Sequence, residues 1–319
     1  VSWGHFFGQV KRSGSSLLRG KEPEIKVPTY FVSNDTVVQK NFKKAGSRVF
    51  VGTPTTGLVR IEWHNARIAQ TIPCNWSFSG GTFNIPAHAP LGYGVADAQN
   101  LIAKFFLSTE CEWLLFIEED NVLPPDCFLR LNEYIRTCEY PVVSALYFTK
   151  SFPAEPLIYR GVGNSFYSDW QLDDLVMCDG TGTGCVLIHR SIIQAAWDIS
   201  PEININGTLA RQIFKYPEGV YFDPEKGTFT GNTGTTDIKF YHWLKEEELF
   251  EKAGWRKFQR MAFPILVDTR IVCGHIDQSG RIYPSMEEIE RWRNNKRRSA
   301  FSMIAPLTAW QRFKSWLRP

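Results

Sequence analysis

No C-x-x-C pair occurs in the 319 residues, and the seven cysteines, Cys74, Cys111, Cys127, Cys138, Cys178, Cys185 and Cys273, are odd in number and scattered. A zinc ribbon, a thioredoxin-like redox motif and a paired disulfide framework are thereby excluded, which leaves buried thiols in a reducing compartment. No stretch approaches the ~18–20 uninterrupted apolar residues of a membrane span. The start, Val1-Ser2-Trp3-Gly4-His5, lacks the basic-then-apolar order of an export signal. A cytoplasmic protein is expected, and the N-x-[ST] triplets at Asn34, Asn75 and Asn206 are then chance occurrences. Internal repeats, low-complexity tracts and a phosphate-cradling P-loop are also missing.

What is present is a globular composition, 43% hydrophobic and 22% charged, with 11 Trp, 23 Phe and 11 Tyr. Disorder, collagen and coiled coil are excluded as whole-chain answers. The formal charge of +3 is unevenly spread: residues 1–46 and 287–319 each carry eight Lys/Arg against three Asp/Glu, so the part between them is net acidic. That distribution argues against a protein coated in nucleic acid, while leaving its basic ends free to touch phosphate or lie peripherally on the inner face of a membrane. The expected organisation is an extension (1–46), a catalytic domain (47–285) and a basic amphipathic helical tail (286–319). In that tail Trp310, Phe313, Trp316 and Leu317 would face either a membrane interface or the parent domain.

Arg48-Val49-Phe50-Val51-Gly52 reads as a buried strand feeding the loop Thr53-Pro54-Thr55-Thr56-Gly57. Helical spacing of Val95, Ala98, Leu101, Ile102 and Phe105 predicts a helix over 94–107, and Trp113-Leu114-Leu115-Phe116-Ile117 is a wholly apolar strand. A second helix carries Cys127, Phe128, Leu131 and Ile135, and strands follow at 141–147, 185–190, 265–268 and 270–273, with a helix over 237–250. Alternation of this kind predicts an α/β fold with a mostly parallel sheet covered by helices.

Chemistry concentrates in Phe116-Ile117-Glu118-Glu119-Asp120-Asn121-Val122-Leu123-Pro124-Pro125, where three carboxylates stand at the C-terminal end of an apolar strand. Ligands of α/β sheets collect there. Adjacent carboxylates repel, so holding them on a rigid strand end makes most sense if a cation neutralises them. Oxygen donors select Mg2+ or Mn2+ over softer metals. On an extended chain a spacing of two places Glu118 and Asp120 on one side and Glu119 on the other. An acid-x-acid clamp is expected, with a solvated acidic turn as the plainer alternative.

With these residues the chain resembles the metal-dependent, nucleotide-sugar-using glycosyltransferases of the GT-A (Rossmann-like) fold, in particular the inverting family 2-like group, over about residues 47–277. The resemblance rests on six features and their order. The first strand ends in a Pro/Thr loop that would meet the nucleotide base, here Thr53-Pro54-Thr55, and a helix follows with Ala98-Gln99-Asn100 in place of an Ala-Arg-Asn-like triplet. Glu118-Glu119-Asp120 matches an Asp-x-Asp-type motif, and Gly180-Thr181-Gly182-Thr183-Gly184 matches a glycine-rich acceptor-side loop. Thr236-Asp237 stands for a Glu-Asp pair, and His275 for a late histidine. Glu118, Gln99 and Thr236 depart from the family's Asp, base-contacting Arg and Glu.

The resemblance implies donor contacts from Thr53, Pro54, Thr55, Gln99, Asn100, Glu118 and Glu119, acceptor contacts from Gly180, Gly182 and Gly184, and Mn2+ or Mg2+ on Glu118, Asp120 and His275. Chemistry alone gives the same core. A cation on Asp120, with Glu118 directly or through water, would stabilise a departing diphosphate, and a neutral His275 nitrogen could complete its coordination. His275 as a hydrogen-bonded strand-end residue stays open. An inverting displacement needs a carboxylate to take the acceptor's proton, and Asp237 is the candidate, at a helix start where capping is also open and where the dipole would keep its pKa low. Asp173, Asp174 and Asp179 are weaker candidates. Alternating glycines would free one backbone face for a sugar, and Trp76, Tyr147, Phe152 and Trp170 could stack on one.

The expected activity is transfer of a sugar from a UDP- or GDP-sugar to a hydroxyl of a glycan, a lipid-linked glycan or a modified DNA base. A retaining transferase, a sugar-1-phosphate nucleotidyltransferase, and a carbohydrate- or nucleic-acid-binding module are the alternatives. The nucleotidyltransferase is disfavoured because Gly52-Thr53-Pro54-Thr55-Thr56-Gly57 carries no basic residue.

Overall fold

The computed structural model describes residues 48–76, 87–161, 166–216, 221–223, 228–230 and 235–290. The expected extension (1–46) and most of the expected tail, including Trp310, Phe313, Trp316 and Leu317, lie outside the described residues. In chain order the first elements are β1 (Val49–Gly52), α1 (Ile61–Ile68), β2 (Ala87–His88), α2 (Val95–Ser108), β3 (Trp113–Ile117), β4 (Asn121–Val122), α3 (Cys127–Thr137) and β5 (Val142–Leu146). There follow β6 (Ile158–Tyr159), β7 (Leu175–Cys178), β8 (Gly180–Thr181), β9 (Cys185–His189), α4 (Arg190–Ile199) and the hairpin β10 (Glu202–Ile205) and β11 (Thr208–Arg211). The hairpin β12 (Tyr221–Asp223) and β13 (Thr228–Thr230) precedes α5 (Thr236–Glu246), α6 (Leu249–Lys252), α7 (Arg256–Arg260), β14 (Ile265–Val272), β15 (Gly274–Ile276) and β16 (Ile282–Tyr283).

Seven strands form the central sheet in the order β2-β1-β3-β9-β5-β14-β7. β1, β2, β3, β5 and β14 run one way, while β9 is antiparallel to both β3 and β5 and β7 is antiparallel to β14. The sheet is therefore mostly parallel in strand direction, as expected. β9 and β7 are the exceptions, both running against the other five strands.

Strand alternation sorts the apolar side chains into two layers. Phe50, Leu114, Phe116, Val186 and Ile188 face one core, packed with Ile102 and Phe106 of α2, Ile192 and Ile193 of α4, and Phe240 and Leu244 of α5. Val49, Val51, Trp113, Leu115, Ile117 and Leu187 face the other, packed with Cys127, Phe128, Leu131 and Ile135 of α3. A strand buried on both faces must read as unbroken hydrophobics, which is why 113–117 was legible as a strand.

Two elements differ from expectation. The helix expected over 237–250 ends at Glu246, because Glu248 takes a left-handed φ of 55° and restarts the chain as α6. The two strands expected at 265–273 are one strand with an irregularity between Asp268 and Val272.

Arg190, the first residue of α4, ties two elements together. Its guanidinium donates to the carbonyls of Leu107, Thr109 and Cys111 at 2.7, 2.8 and 3.0 Å, covering the C-terminal end of α2 and the approach to β3. Arg190→Ala is expected to lower stability by roughly 2 kcal/mol in urea unfolding. Arg190→Lys should recover only part of it, since one ammonium cannot reproduce the planar fork.

Candidate functional site

The sheet order places the C-terminal ends of β1 and β3 side by side and runs β9 back from the same corner, with Ile117 opposite Cys185. The register continues one step beyond β3, where the Glu118 N–H donates to the Gly184 carbonyl at 2.9 Å. Thr183 is thereby delivered to Glu118, and its hydroxyl lies 2.8 Å from Glu118 Oε1. The same hydroxyl is 3.3 Å from Asp237 Oδ1, and the Thr183 N–H donates to Asp237 Oδ2 at 3.2 Å. Gln99 Nε2 donates to the Thr183 oxygen at 2.8 Å, which leaves the single hydroxyl proton for the two carboxylates. Glu118 and Asp237 are thus bridged by one threonine.

Burial and the proximity of Asp237 and then Asp120 push the Glu118 carboxyl up to about 8. Burial likewise raises Asp237, against the opposing hydrogen bonds from Thr236 and Thr183. The expectation that the helix dipole would hold Asp237 low is corrected: desolvation outweighs it. Capping is corrected too, since Thr235 occupies the N-cap and Asp237 lies inside the first turn, accepting from Thr236 Oγ1 at 2.9 Å.

After Glu118 the chain turns, with the Asn121 N–H donating to the Glu118 carbonyl at 3.1 Å. The extended-chain spacing argument fails there, and the acid-x-acid clamp is not what the structure builds. Glu118 points to Thr183, whereas Asp120 Oδ2 meets the Lys150 ammonium and, at 3.3 Å, His275 Nε2. A small sheet explains that meeting: His275 in β15 pairs with Asn121 in β4, and the Ile276 N–H donates to the Asp120 carbonyl at 2.8 Å. His275 Nδ1 lies 2.7 Å from the Phe148 carbonyl, an acceptor only, so Nδ1–H donates there and Nε2 faces Asp120, donating to the carboxylate as an imidazolium and offering a lone pair to a cation as a neutral ring. Burial alone would raise Asp120, but the hydrogen bond and charge from His275 and then those from Lys150 outweigh it and bring the carboxyl down to about 2.

Glu119 takes a third path. Its carboxylate accepts from the Thr55 hydroxyl and, at 2.8 Å each, from the Thr56 N–H and hydroxyl. It locks the loop after β1 to the turn after β3 instead of facing a donor. Thr53 and Pro54 are buried, so the loop presents Thr55, Thr56 and Gly57.

Two further expectations are corrected. Gln99 and Asn100 are almost wholly buried. Gln99 serves Thr183, and Asn100 clamps the segment after β11, donating to the Phe214 carbonyl at 2.9 Å and accepting from the Ile213 and Phe214 N–H groups at 2.9 and 2.8 Å. Neither side chain is placed to touch a donor. The glycines at 180, 182 and 184 present no open backbone face either. A methyl on Gly182 would lie 1.7 Å from the Tyr147 hydroxyl, one on Gly184 2.0 Å from Asn121 Nδ2, and one on Gly180 2.9 Å from Ile238. They are glycines because protein side chains fill that space. Trp76, Tyr147 and Trp170 are core residues, whereas Phe152 is exposed. The Asp174 and Asp179 carboxylates accept from the Gln171 and Gly161 N–H groups, and Asp173 sits at a left-handed φ of 76°.

The residues missed in the sequence are Thr183, Lys150 and Asn121, and Tyr147 has a different role from the sugar stacking expected of it. Tyr147 accepts the Gly184 N–H at 2.8 Å and so fixes the glycine segment. Asn121 is fully buried and neither atom of its amide has a protein partner. Only Thr183 had a visible signal, as one of the two threonines inside the glycine run.

Among the described residues no three metal-ligating side chains converge on one point. Mg2+-type sites in nucleotide enzymes, however, use one or two protein ligands and complete themselves with substrate phosphate and water. Asp120 meets that requirement: its Oδ1 is buried without a partner, and the His275 nitrogen faces its other oxygen. Asp120 and His275 fit a hard divalent cation; Glu118, turned to Thr183, does not join them in this arrangement.

No family model matches the chain, and no curated protein matches it. Among solved structures, A197 from STIV is similar with a TM-score of 0.45 and 15% identity, covering 72% of this chain and 86% of that one. TarS 1-349 of S. aureus in complex with UDP is similar with a TM-score of 0.31 and 14% identity over 48% of this chain, which spans about half of that fragment. A putative glucose-1-phosphate thymidylyltransferase from Bacillus anthracis gives 0.28 and 11%, covering 49% of this chain and 76% of that one. Likenesses of this size carry no functional assignment, which has to come from the site itself.

The raised Glu118 carboxyl has a measurable effect. The folded state keeps a proton there that the unfolded chain, with an ordinary carboxyl near ~4.3, has already lost, so stability falls as pH rises from about 4 to about 8. Glu118→Gln keeps an oxygen for Thr183 and removes the charge. Without metal it is expected to melt a few degrees above wild type near pH 9, the gap closing toward about pH 5. A pH-independent gap in Tm contradicts the assignment.

Proposed function

We propose that the protein transfers a sugar from a nucleoside-diphosphate sugar to a hydroxyl acceptor, with Asp237 as the base and a divalent cation, Mn2+ or Mg2+, on Asp120 and His275. The observation that carries the reading is the meeting, at the C-terminal ends of β1 and β3, of two differently tuned carboxylates. Asp120 is held ionised beside positive charge, and Asp237 is raised by burial. One suits an anionic leaving group neutralised by a cation; the other suits proton removal.

The cation would supply charge stabilisation to the departing diphosphate. The chain's own residues do the rest. Asp237 accepts the acceptor's proton, its carboxylate aimed by the Thr183 N–H and the two threonine hydroxyls. Glu119 holds the Thr55–Gly57 loop against the turn, giving the nucleotide a fixed wall. Inversion follows as the default outcome of a single displacement with one base. UDP and GDP are the donor nucleotides favoured by the resemblance, and a glycan, a lipid-linked glycan or a modified DNA base are the acceptor classes. No helix among the described residues is long and apolar enough to cross a membrane, so a lipid-linked acceptor would be met at the surface.

A thermal-shift screen of UDP-, GDP- and dTDP-sugars, with and without Mn2+, tests this reading. One donor is expected to raise Tm by several degrees only with the metal, through mass action on the folded state. Asp237→Asn should keep that shift while lowering transfer at least ~100-fold, the usual scale of a lost general base. A carbohydrate- or nucleic-acid-binding module would instead show no donor-dependent shift.

A further inference from the structure

Lys150 was invisible in the sequence, yet its ammonium occupies the Asp120 carboxylate. It is carried by a loop whose shape does not depend on that contact. Thr149 and Glu155 close the loop through the Thr149 N–H to the Glu155 carbonyl at 2.8 Å and the Glu155 N–H to the Thr149 hydroxyl at 3.0 Å. Glu288 holds the far side by accepting the Ala154 N–H at 3.0 Å. His275 pins the base of the loop at the Phe148 carbonyl, two residues before Lys150. The backbone is fixed, and a flexible four-carbon stem with one third of its side-chain surface exposed brings the charge to Asp120.

This arrangement is unstable toward the ligands of the proposed reaction. A divalent cation on Asp120 would stand beside an ammonium on the same carboxylate, and like charges in contact repel strongly where water is scarce. A diphosphate would bring negative charge into the same corner, where Glu118, Glu119 and Asp237 already have their own hydrogen-bond donors. Arg60, another cation of this side, is committed to Glu62 and the Gln278 carbonyl. The ammonium on its long stem is the group free to follow the phosphate.

We propose that Lys150 is a diphosphate-binding residue of the donor site, held on Asp120 until a cation takes that carboxylate and the ammonium turns to the phosphate oxygens. The proposal rests on the donor reading above and adds to it a residue and an order of events. It assigns Lys150 two opposing effects: it weakens binding of the cation alone, and it strengthens binding of the diphosphate.

The test compares wild type with Lys150→Met and Lys150→Arg. Mn2+ alone is titrated by electron paramagnetic resonance, and inorganic pyrophosphate, UDP and GDP are titrated calorimetrically at saturating Mn2+. Lys150→Met is expected to bind Mn2+ severalfold more tightly and pyrophosphate, UDP or GDP about tenfold more weakly, the loss of one charge-assisted contact. Lys150→Arg should keep the diphosphate affinity within about threefold, since a guanidinium also binds phosphate. Unchanged diphosphate affinity in Lys150→Met overturns the proposal, as does a loss matched by weaker Mn2+ binding, which would make Lys150 a prop for the carboxylate. Wild type that binds pyrophosphate with Mn2+ but neither UDP nor GDP would overturn the UDP/GDP donor reading and leave the role of Lys150 standing.

Discussion

Four carboxylates crowd one corner of the sheet, and the structure depends on keeping them from repelling one another. Each is given its own donors: Glu119 the Thr55–Thr56 loop, Asp120 the lysine and histidine, Asp237 the threonines of the helix start and the glycine segment, and Glu118 the Thr183 hydroxyl. Unpaired, such groups would neutralise by taking up protons, which is the direction in which Glu118 and Asp237 move. Asp120 moves the other way because positive charge reaches it. The site's chemistry is the difference between these two responses.

That difference is built by backbone register more than by the side chains themselves. The antiparallel pairing of β9 with β3 sets Thr183 against Glu118, and the pairing of β15 with β4 sets His275 against Asp120. The β9–β3 pairing lies in a sheet filled on its two faces, so a shift of that strand would require repacking a core as dense as a crystal. Glycines at 182 and 184 belong to the same scheme: they let Tyr147 and Asn121 approach the backbone that carries Thr183.

The sheet was legible because strands such as 113–117 are apolar throughout, and the acidic turn because it breaks such a strand abruptly. Asp120 and His275 could be paired through the order of motifs, although 155 positions separate them and only the small β4–β15 sheet brings them together. The Glu118–Asp120 clamp was misread because alternation holds only while the chain stays extended, and here it turns after Glu118. Gln99 and Asn100 were expected to contact the donor because they stand where the resemblance places a helix triplet; both are buried and hydrogen-bonded to distant segments that no local pattern identifies. Lys150 had no signal at all, since a lysine in a loop is ordinarily a solvated charge.

The central claim is that Asp120 and His275 anchor the cation and diphosphate of a nucleotide-sugar donor. A crystal structure grown with Mn2+ and a nucleoside diphosphate tests it most directly, through the anomalous signal of manganese. The account predicts one manganese peak in contact with both Asp120 and His275, with phosphate oxygens completing its surroundings and Asp237 left facing open space for an acceptor. Nucleotide bound elsewhere on the chain, or bound at this corner with Asp120 still paired to Lys150 and no manganese beside it, would contradict it.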